Sequence, residues 1–175
     1  MIASRRTLLM SAAGLAIAAT GAVLLRRAGG SAMAETAAGA GAIEKLELGD
    51  AEWKARLEPA RYEVLRNEGT EPPGSSPLNF EKRAGSFHCA GCDLELFTSE
   101  MKYDSGTGWP SFFDVIPGRV GTKSDWKLII PRTEYHCARC GGHQGHVFDD
   151  GPKPTGLRYC NNGLALTFKP AASAG

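Results

Sequence analysis

Ser86-Phe-His-Cys89-Ala-Gly-Cys92-Asp-Leu-Glu-Leu-Phe97 sets a Cys-x-x-Cys pair between two strand-like segments, and Cys137-Ala-Arg-Cys140 repeats the pair later in the chain. Each knuckle bends so that both sulfurs face one ion, and two knuckles close a tetrahedral thiolate site around zinc. The gap between them is longer than in a short zinc ribbon, so the metal ties together segments distant in sequence. Cys89, Cys92, Cys137 and Cys140 therefore read as a structural clamp holding one zinc per chain. The competing readings are two redox dithiols or one disulfide per pair. A redox Cys-x-x-Cys usually opens a helix after a strand, whereas Cys92 here leads into the strand-like Leu94-Glu-Leu-Phe97. Zinc fits better.

Around the knuckles the chain is punctuated by Gly-rich turns. The pattern predicts short strands over 86–89, 94–97, 111–115, 126–130, 133–137, 146–148, 157–160 and 164–169. Many short strands with turn signals between them imply antiparallel sheets. The expected fold is mainly β, antiparallel sheets forming a compact barrel-like domain with short N-terminal helices. Asp50 is placed to cap a helix running through Leu57, and Pro59 to begin a second that stops at Gly69. Three prolines and Gly74 make residues 70–78 an extended arm.

The N-terminus has a different character. Ser4-Arg5-Arg6-Thr7 leads into an uncharged Ala/Gly/Leu-rich run over 8–25, followed by Ala32-Met-Ala34, the outline of a twin-arginine export signal with a small-residue cleavage site. A retained membrane anchor facing the periplasm is the rival reading, because the run approaches the length that crosses a bilayer. The expected organisation is an export signal over 1–34, a flexible tether over 35–48, one domain over 49–170 and a tail over 171–175, with a periplasmic destination. Without the first 34 residues, 16 basic side chains face 19 acidic ones. That mildly acidic body excludes nucleic acid as a natural partner.

Cys160 stands apart from the pairs, in Arg158-Tyr-Cys-Asn-Asn162. In an extended strand alternate residues share a face, so Arg158, Cys160 and Asn162 point one way. A guanidinium beside a thiol raises the thiolate fraction, the nucleophilic form. A buried core cysteine is the bland alternative, but an Arg and an Asn are poor companions for a core position. His143 and His146, in Gly141-Gly-His-Gln-Gly-His-Val-Phe148, are surplus to a zinc shell already completed by four thiolates, and they read as acid/base groups that titrate near neutrality. His88 and His136, each beside a zinc cysteine, read as structural. In Asp104-Ser-Gly-Thr-Gly-Trp-Pro-Ser-Phe-Phe113 the glycines allow close backbone approach, and Trp109 offers a flat apolar wall.

In this order Gly69-Thr-Glu71-Pro-Pro, Cys89-Ala-Gly-Cys92, Ser105-Gly-Thr-Gly-Trp-Pro-Ser-Phe112, Cys137-Ala-Arg-Cys140-Gly-Gly-His-Gln-Gly-His-Val-Phe148 and Arg158-Tyr-Cys160-Asn-Asn162 closely resemble the B-type methionine-R-sulfoxide reductases. The resemblance implies a repair enzyme of the oxidative stress response, reducing the R epimer of methionine sulfoxide in proteins or peptides. It implies Cys160 as nucleophile, passing through a sulfenic acid. His143, His146, Arg158 and Asn162 would complete the catalytic set, and Trp109, Phe148 and Glu71 would bind substrate. Many members carry a resolving cysteine where this chain has Thr107, so regeneration would need an external reductant: a thioredoxin-like or glutaredoxin-like protein, or a small thiol. A monomer is expected. Two other functions compete: a zinc-stabilised exported protein-binding module with an inert Cys160, and a general thiol oxidoreductase using its Cys-x-x-Cys pairs.

Overall fold

The structure, a computed structural model, describes residues 43–128 and 130–172. The expected export signal, the tether up to residue 42 and the last three residues of the tail lie outside them.

Among the described residues two helices come first, α1 (Asp50–Arg56) and α2 (Pro59–Asn67). Nine strands follow among the described residues: β1 (Gly85–Cys89), β2 (Glu95–Thr98), β3 (Lys102–Tyr103), β4 (Ser111–Phe112), β5 (Val120–Asp125), β6 (Arg132–Cys137), β7 (His143–Phe148), β8 (Arg158–Asn161) and β9 (Leu166–Pro170). They form a three-stranded sheet, β2-β1-β9, and a six-stranded sheet, β3-β4-β8-β7-β6-β5. Every pairing is antiparallel. The mainly β architecture is the expected one, realised as two separate sheets.

Aromatic rings fill the space between the sheets. Phe97 of β2 stacks on Phe112 of β4 with centroids 4.0 Å apart. Phe87 of β1 meets Phe112 edge-on at 5.0 Å, and Tyr135 meets Tyr159 at 5.3 Å. Phe87, Phe97, Phe112 and Tyr135 are wholly buried. Edge-to-face and offset pairs of this kind add to the area buried and fix the relative seating of the sheets. Trp53, Tyr62, Val64 and Leu65 extend the core beneath the helices.

Several boundaries differ from the sequence expectation for local reasons. Asp50 is the first residue of α1 rather than its cap: Gly49 is the cap, and its N–H donates to the Glu52 carboxylate at 2.7 Å. The left-handed residue ending α2 is Glu68, with φ 54°, not Gly69. Ion pairs from Lys123 and Lys127 hold Glu68 there. Within the expected strand over 126–130, the described residues 126–128 and 130 are in no strand and are exposed; the polar run Val120–Asp125 pairs with β6 instead. An edge strand whose outer residues meet water needs no apolar face, so its composition hid it. Within the expected tether, Ile43, Leu46 and Leu48 pack against the core, and the Leu46 N–H donates to the Arg139 carbonyl at 2.8 Å.

The knuckles meet at one end of the sheets. The Cys89 and Cys140 sulfurs lie 3.6 Å apart, those of Cys92 and Cys137 3.5 Å apart, and all four fall within 4.8 Å of one another. A tetrahedral zinc with Zn–S bonds of about 2.3 Å sets its sulfurs about 3.8 Å apart, so the residues fit the ion. All four are buried thiols unpaired by disulfides, and together they form a closed structural zinc site. A zinc tetrathiolate is net anionic, and three guanidiniums grip the knuckle backbone around it. Arg56 donates to the Gly91 carbonyl at 3.0 Å, Arg66 to that of Cys140 at 3.0 Å and Arg139 to that of Cys92 at 3.3 Å.

Cys137→Ser is expected to lose the zinc and to destabilise the domain by several kcal/mol, since structural zinc contributes folding free energy directly. Metal content and the thermal transition, measured on the same preparation, check this. A zinc-free variant melting like the wild type would show that the clamp does not hold the fold.

Candidate active site

Residues directly opposite in neighbouring antiparallel strands share a face. Tyr103 pairs with Ser111, Ser111 with Cys160, Cys160 with His146, His146 with Glu134 and Glu134 with Lys123. One lateral row across six strands thus brings Cys160, His146 and Glu134 together from distant parts of the sequence. Gly145 permits the closeness, because a Cβ there would lie 1.9 Å from the Cys160 carbonyl oxygen. An irregularity in the β6/β7 register next to Gln144 shifts the phase of β7. Three residues apart in a regular strand, His143 and His146 would face opposite ways; here their rings lie 5.5 Å apart.

A cavity of about 130 Å³ opens over the row. Cys160, His146, Trp109, Phe148, Asn162, Arg132 and Thr70 line it. Burial pushes the Cys160 thiol above the ordinary range, opposed by the Arg158 guanidinium and a hydrogen bond from Thr107. Arg158 shares the face as expected. Its guanidinium donates twice to Asp150, at 2.7 and 2.8 Å, and lies 4.3 Å from the Phe148 ring centre. Thr107 sits in a chain of hydroxyls, 2.8 Å from Ser105, which in turn is 2.7 Å from Ser111.

The two histidines take different places. His146 lines the cavity, and its Nε2 meets Asp125 Oδ2 at 2.7 Å. A carboxylate only accepts, so Nε2 carries the proton and Nδ1 is the nitrogen left to exchange one. Burial lowers the pKa of His146 despite that carboxylate, with Arg132 and His143 adding to the lowering. Asp125 itself is held well below the carboxylate range, first by the Lys127 N–H, then by His146 and Arg132. His143 is buried behind its neighbour, with Nδ1 donating to Glu134 at 2.7 Å. Burial alone would raise the Glu134 carboxyl, but hydrogen bonds and charge from His136 and His143 bring it down to about 2.

Trp109 forms a wall of the cavity, and its indole N–H donates to the Glu71 carbonyl at 3.0 Å. Glu71 does not line this cavity. Its carboxylate accepts from the N–H groups of Gly163 at 2.6 Å and Leu164 at 2.9 Å, and its own N–H donates to Asn162 Oδ1 at 3.1 Å. Asn162 also donates to the Gln144 carbonyl at 3.1 Å. Glu71 and Asn162 therefore staple the arm and Trp109 to the end of β8. His88 and His136 bond Ser86 and Glu134 near the knuckles.

Sequence reasoning missed Asp125, Glu134, Asp150 and Arg132. Asp125 and Glu134 show no signal until β5, β6 and β7 are paired. Asp150, close behind the histidine strand in Phe148-Asp-Asp-Gly151, could have been noticed.

The SelR domain family matches residues 57–170. The chain is 51% identical over 129 residues to a protein of Methanosarcina barkeri named peptide methionine sulfoxide reductase MsrB, covering 73% of this chain and 91% of that one. A Pseudomonas putida protein of the same name is 49% identical, with 75% of this chain and 100% of that one covered. One from Agrobacterium fabrum is 48% identical, with 72% and 94% covered.

Glu71→Ala leaves one buried and one part-buried N–H group without their acceptor, and is expected to cost about 1–3 kcal/mol. Denaturant unfolding measures it. A loss under about 0.5 kcal/mol would mean that the staple contributes nothing beyond an ordinary surface contact.

Proposed function

This chain belongs to the SelR-domain family of B-type methionine sulfoxide reductases, and from that premise we propose how its own residues reduce the R epimer of methionine sulfoxide in proteins or peptides, with a thiol as the ultimate reductant. The pairing of Cys160 with His146 beneath the Trp109 wall carries the reading. The sulfoxide sulfur is electron-poor and its oxygen electron-rich. Cys160 attacks the sulfur, and His146 passes a proton to the oxygen. The S–O bond breaks, methionine leaves, and the oxygen ends on Cys160 as a sulfenic acid. Trp109 and Phe148 hold the S-methyl group through sulfur-aromatic contact. Arg158, oriented by Asp150, favours the thiolate; His143 and Glu134 support His146 from behind.

A thiol with a raised pKa beside a histidine with a lowered one gives the pair one proton across neutrality. That proton starts on sulfur and finishes on the sulfoxide oxygen, with His146 as carrier. The dominant form therefore holds the number of protons that the transition state needs. Methionine release in a single turnover is expected to be flat across neutral pH. It should fall on the acid side, once His146 gains a proton below the ordinary imidazole range, and on the alkaline side, once Cys160 loses its own above the ordinary thiol range. A rate still climbing with pH above that point would take His146 out of the proton path.

Regeneration is external. The zinc thiolates are committed to the clamp and Thr107 is no nucleophile for a sulfenic acid, so an outside thiol attacks Cys160, releasing water and leaving a mixed disulfide. A second outside thiol then frees Cys160. Pre-reduced protein mixed with excess substrate should release one methionine per active site and stop without an internal disulfide, and Cys160→Ser should release none. A disulfide mapped to Cys160 after one turnover would assign resolution to one of the knuckle cysteines and overturn this scheme. The zinc-stabilised binding module with an inert Cys160 leaves the cavity and the histidine pairing unused. We infer further, from Arg5-Arg6 and the apolar run behind them, that the protein works outside the cytoplasm, where a thioredoxin-like or glutaredoxin-like protein or a small thiol serves as donor.

A further inference from the structure

A loop, described at residues 126–128, 130 and 131, joins the end of β5 at Asp125 to the start of β6 at Arg132, a registered pair. Both ends belong to the cavity: Asp125 bonds His146, and Arg132 is part of the wall. Between them Trp126, Leu128 and Ile130 are 72%, 57% and 76% exposed. Three large apolar side chains in one loop, open to water, are the mark of an interaction site rather than scatter. The loop's one charged side chain, Lys127, reaches Glu68 at 2.6 Å, so the surface it offers is apolar.

We propose that Trp126, Leu128 and Ile130 bind the residues flanking the sulfoxide and select polypeptide segments that are apolar beside it. The inference rests on the reductase reading of the cavity. A space of about 130 Å³ admits one side chain, so the rest of a polypeptide substrate must lie across the rim. On the β5–β6 side that rim is this loop. A membrane surface is a poorer occupant, because anionic lipid calls for free basic residues and Lys127 is already paired. A second copy seated there would compete with substrate for the same rim.

The test compares wild type with the triple variant Trp126→Ser, Leu128→Ser, Ile130→Ser, all exposed positions, on three R-sulfoxide substrates. These are N-acetyl-methionine sulfoxide amide, a pentapeptide with Leu and Val around the sulfoxide, and one with Ser and Gly. Wild type should favour the apolar peptide by about 10-fold in kcat/KM, expressed in KM, and the variant should lose that preference. The small amide should be reduced equally by both proteins. The same peptide preference in both proteins would overturn the proposal. So would concentration-dependent dimerisation, or flotation with anionic vesicles, that disappears in the variant while the peptide ratio stays fixed. Failure of the reductase reading is a separate result: wild type would not turn over the amide. The loop is then judged by equilibrium binding of the two peptides to Cys160→Ser, where equal affinities would sink it.

Discussion

The zinc clamp fixes where β7 begins, and the active face depends on that. Cys89 ends β1, Cys137 ends β6, and Cys140 stands three residues before His143. Gln144, beside the shift in register, donates its side-chain N–H to Cys89 Sγ at 3.4 Å. The metal site thus reaches through one amide to the residue whose extra length changes the phase of the strand. Move that residue and His143 parts from His146, because a shift of one place sends a side chain to the opposite face. Structural zinc and catalytic geometry are joined by packing, though the metal never touches the cavity.

Charge at the site is arranged in pairs. Asp150 holds Arg158 beside the thiol, Asp125 spans His146 and Arg132, and Glu134 spans His136 and His143. Each base or thiol faces a group whose own charge is already anchored, so little reorganisation accompanies the movement of a proton. The carboxylates sit low on the pH scale and the thiol sits high. The titrating groups of the reaction are therefore kept apart from those that merely hold it in place.

Much of this was legible in the chain. Doubled knuckles specify the zinc site because few other arrangements need that spacing, and Cys160 stood out as the thiol left over. The helices announced themselves through Pro59 and the cap and stop signals at Asp50 and Gly69, each one residue from the place the folded chain uses. What stayed hidden depends on strand pairing. The polar edge strand β5 has no periodic signature, while the apolar run after it mimics one, so the two exchanged places. The resemblance put Glu71 among the substrate-binding residues; only the folded chain shows its carboxylate turned onto the Gly163 and Leu164 amides.

The pairing of β1 with β9 bears on how the chain comes to be folded. Gly85 sits opposite Pro170, so the central strand of the smaller sheet waits for a partner from the far end of the domain. Until that last strand has left the ribosome, β1 presents an open edge and the aromatic core between the sheets is uncovered on one side. Contacts between such distant segments slow folding and lengthen the time an edge is available for the wrong partner. The two knuckles, both made earlier in synthesis, offer a way to hold the nascent sheets in register while the C-terminal strand is still to come.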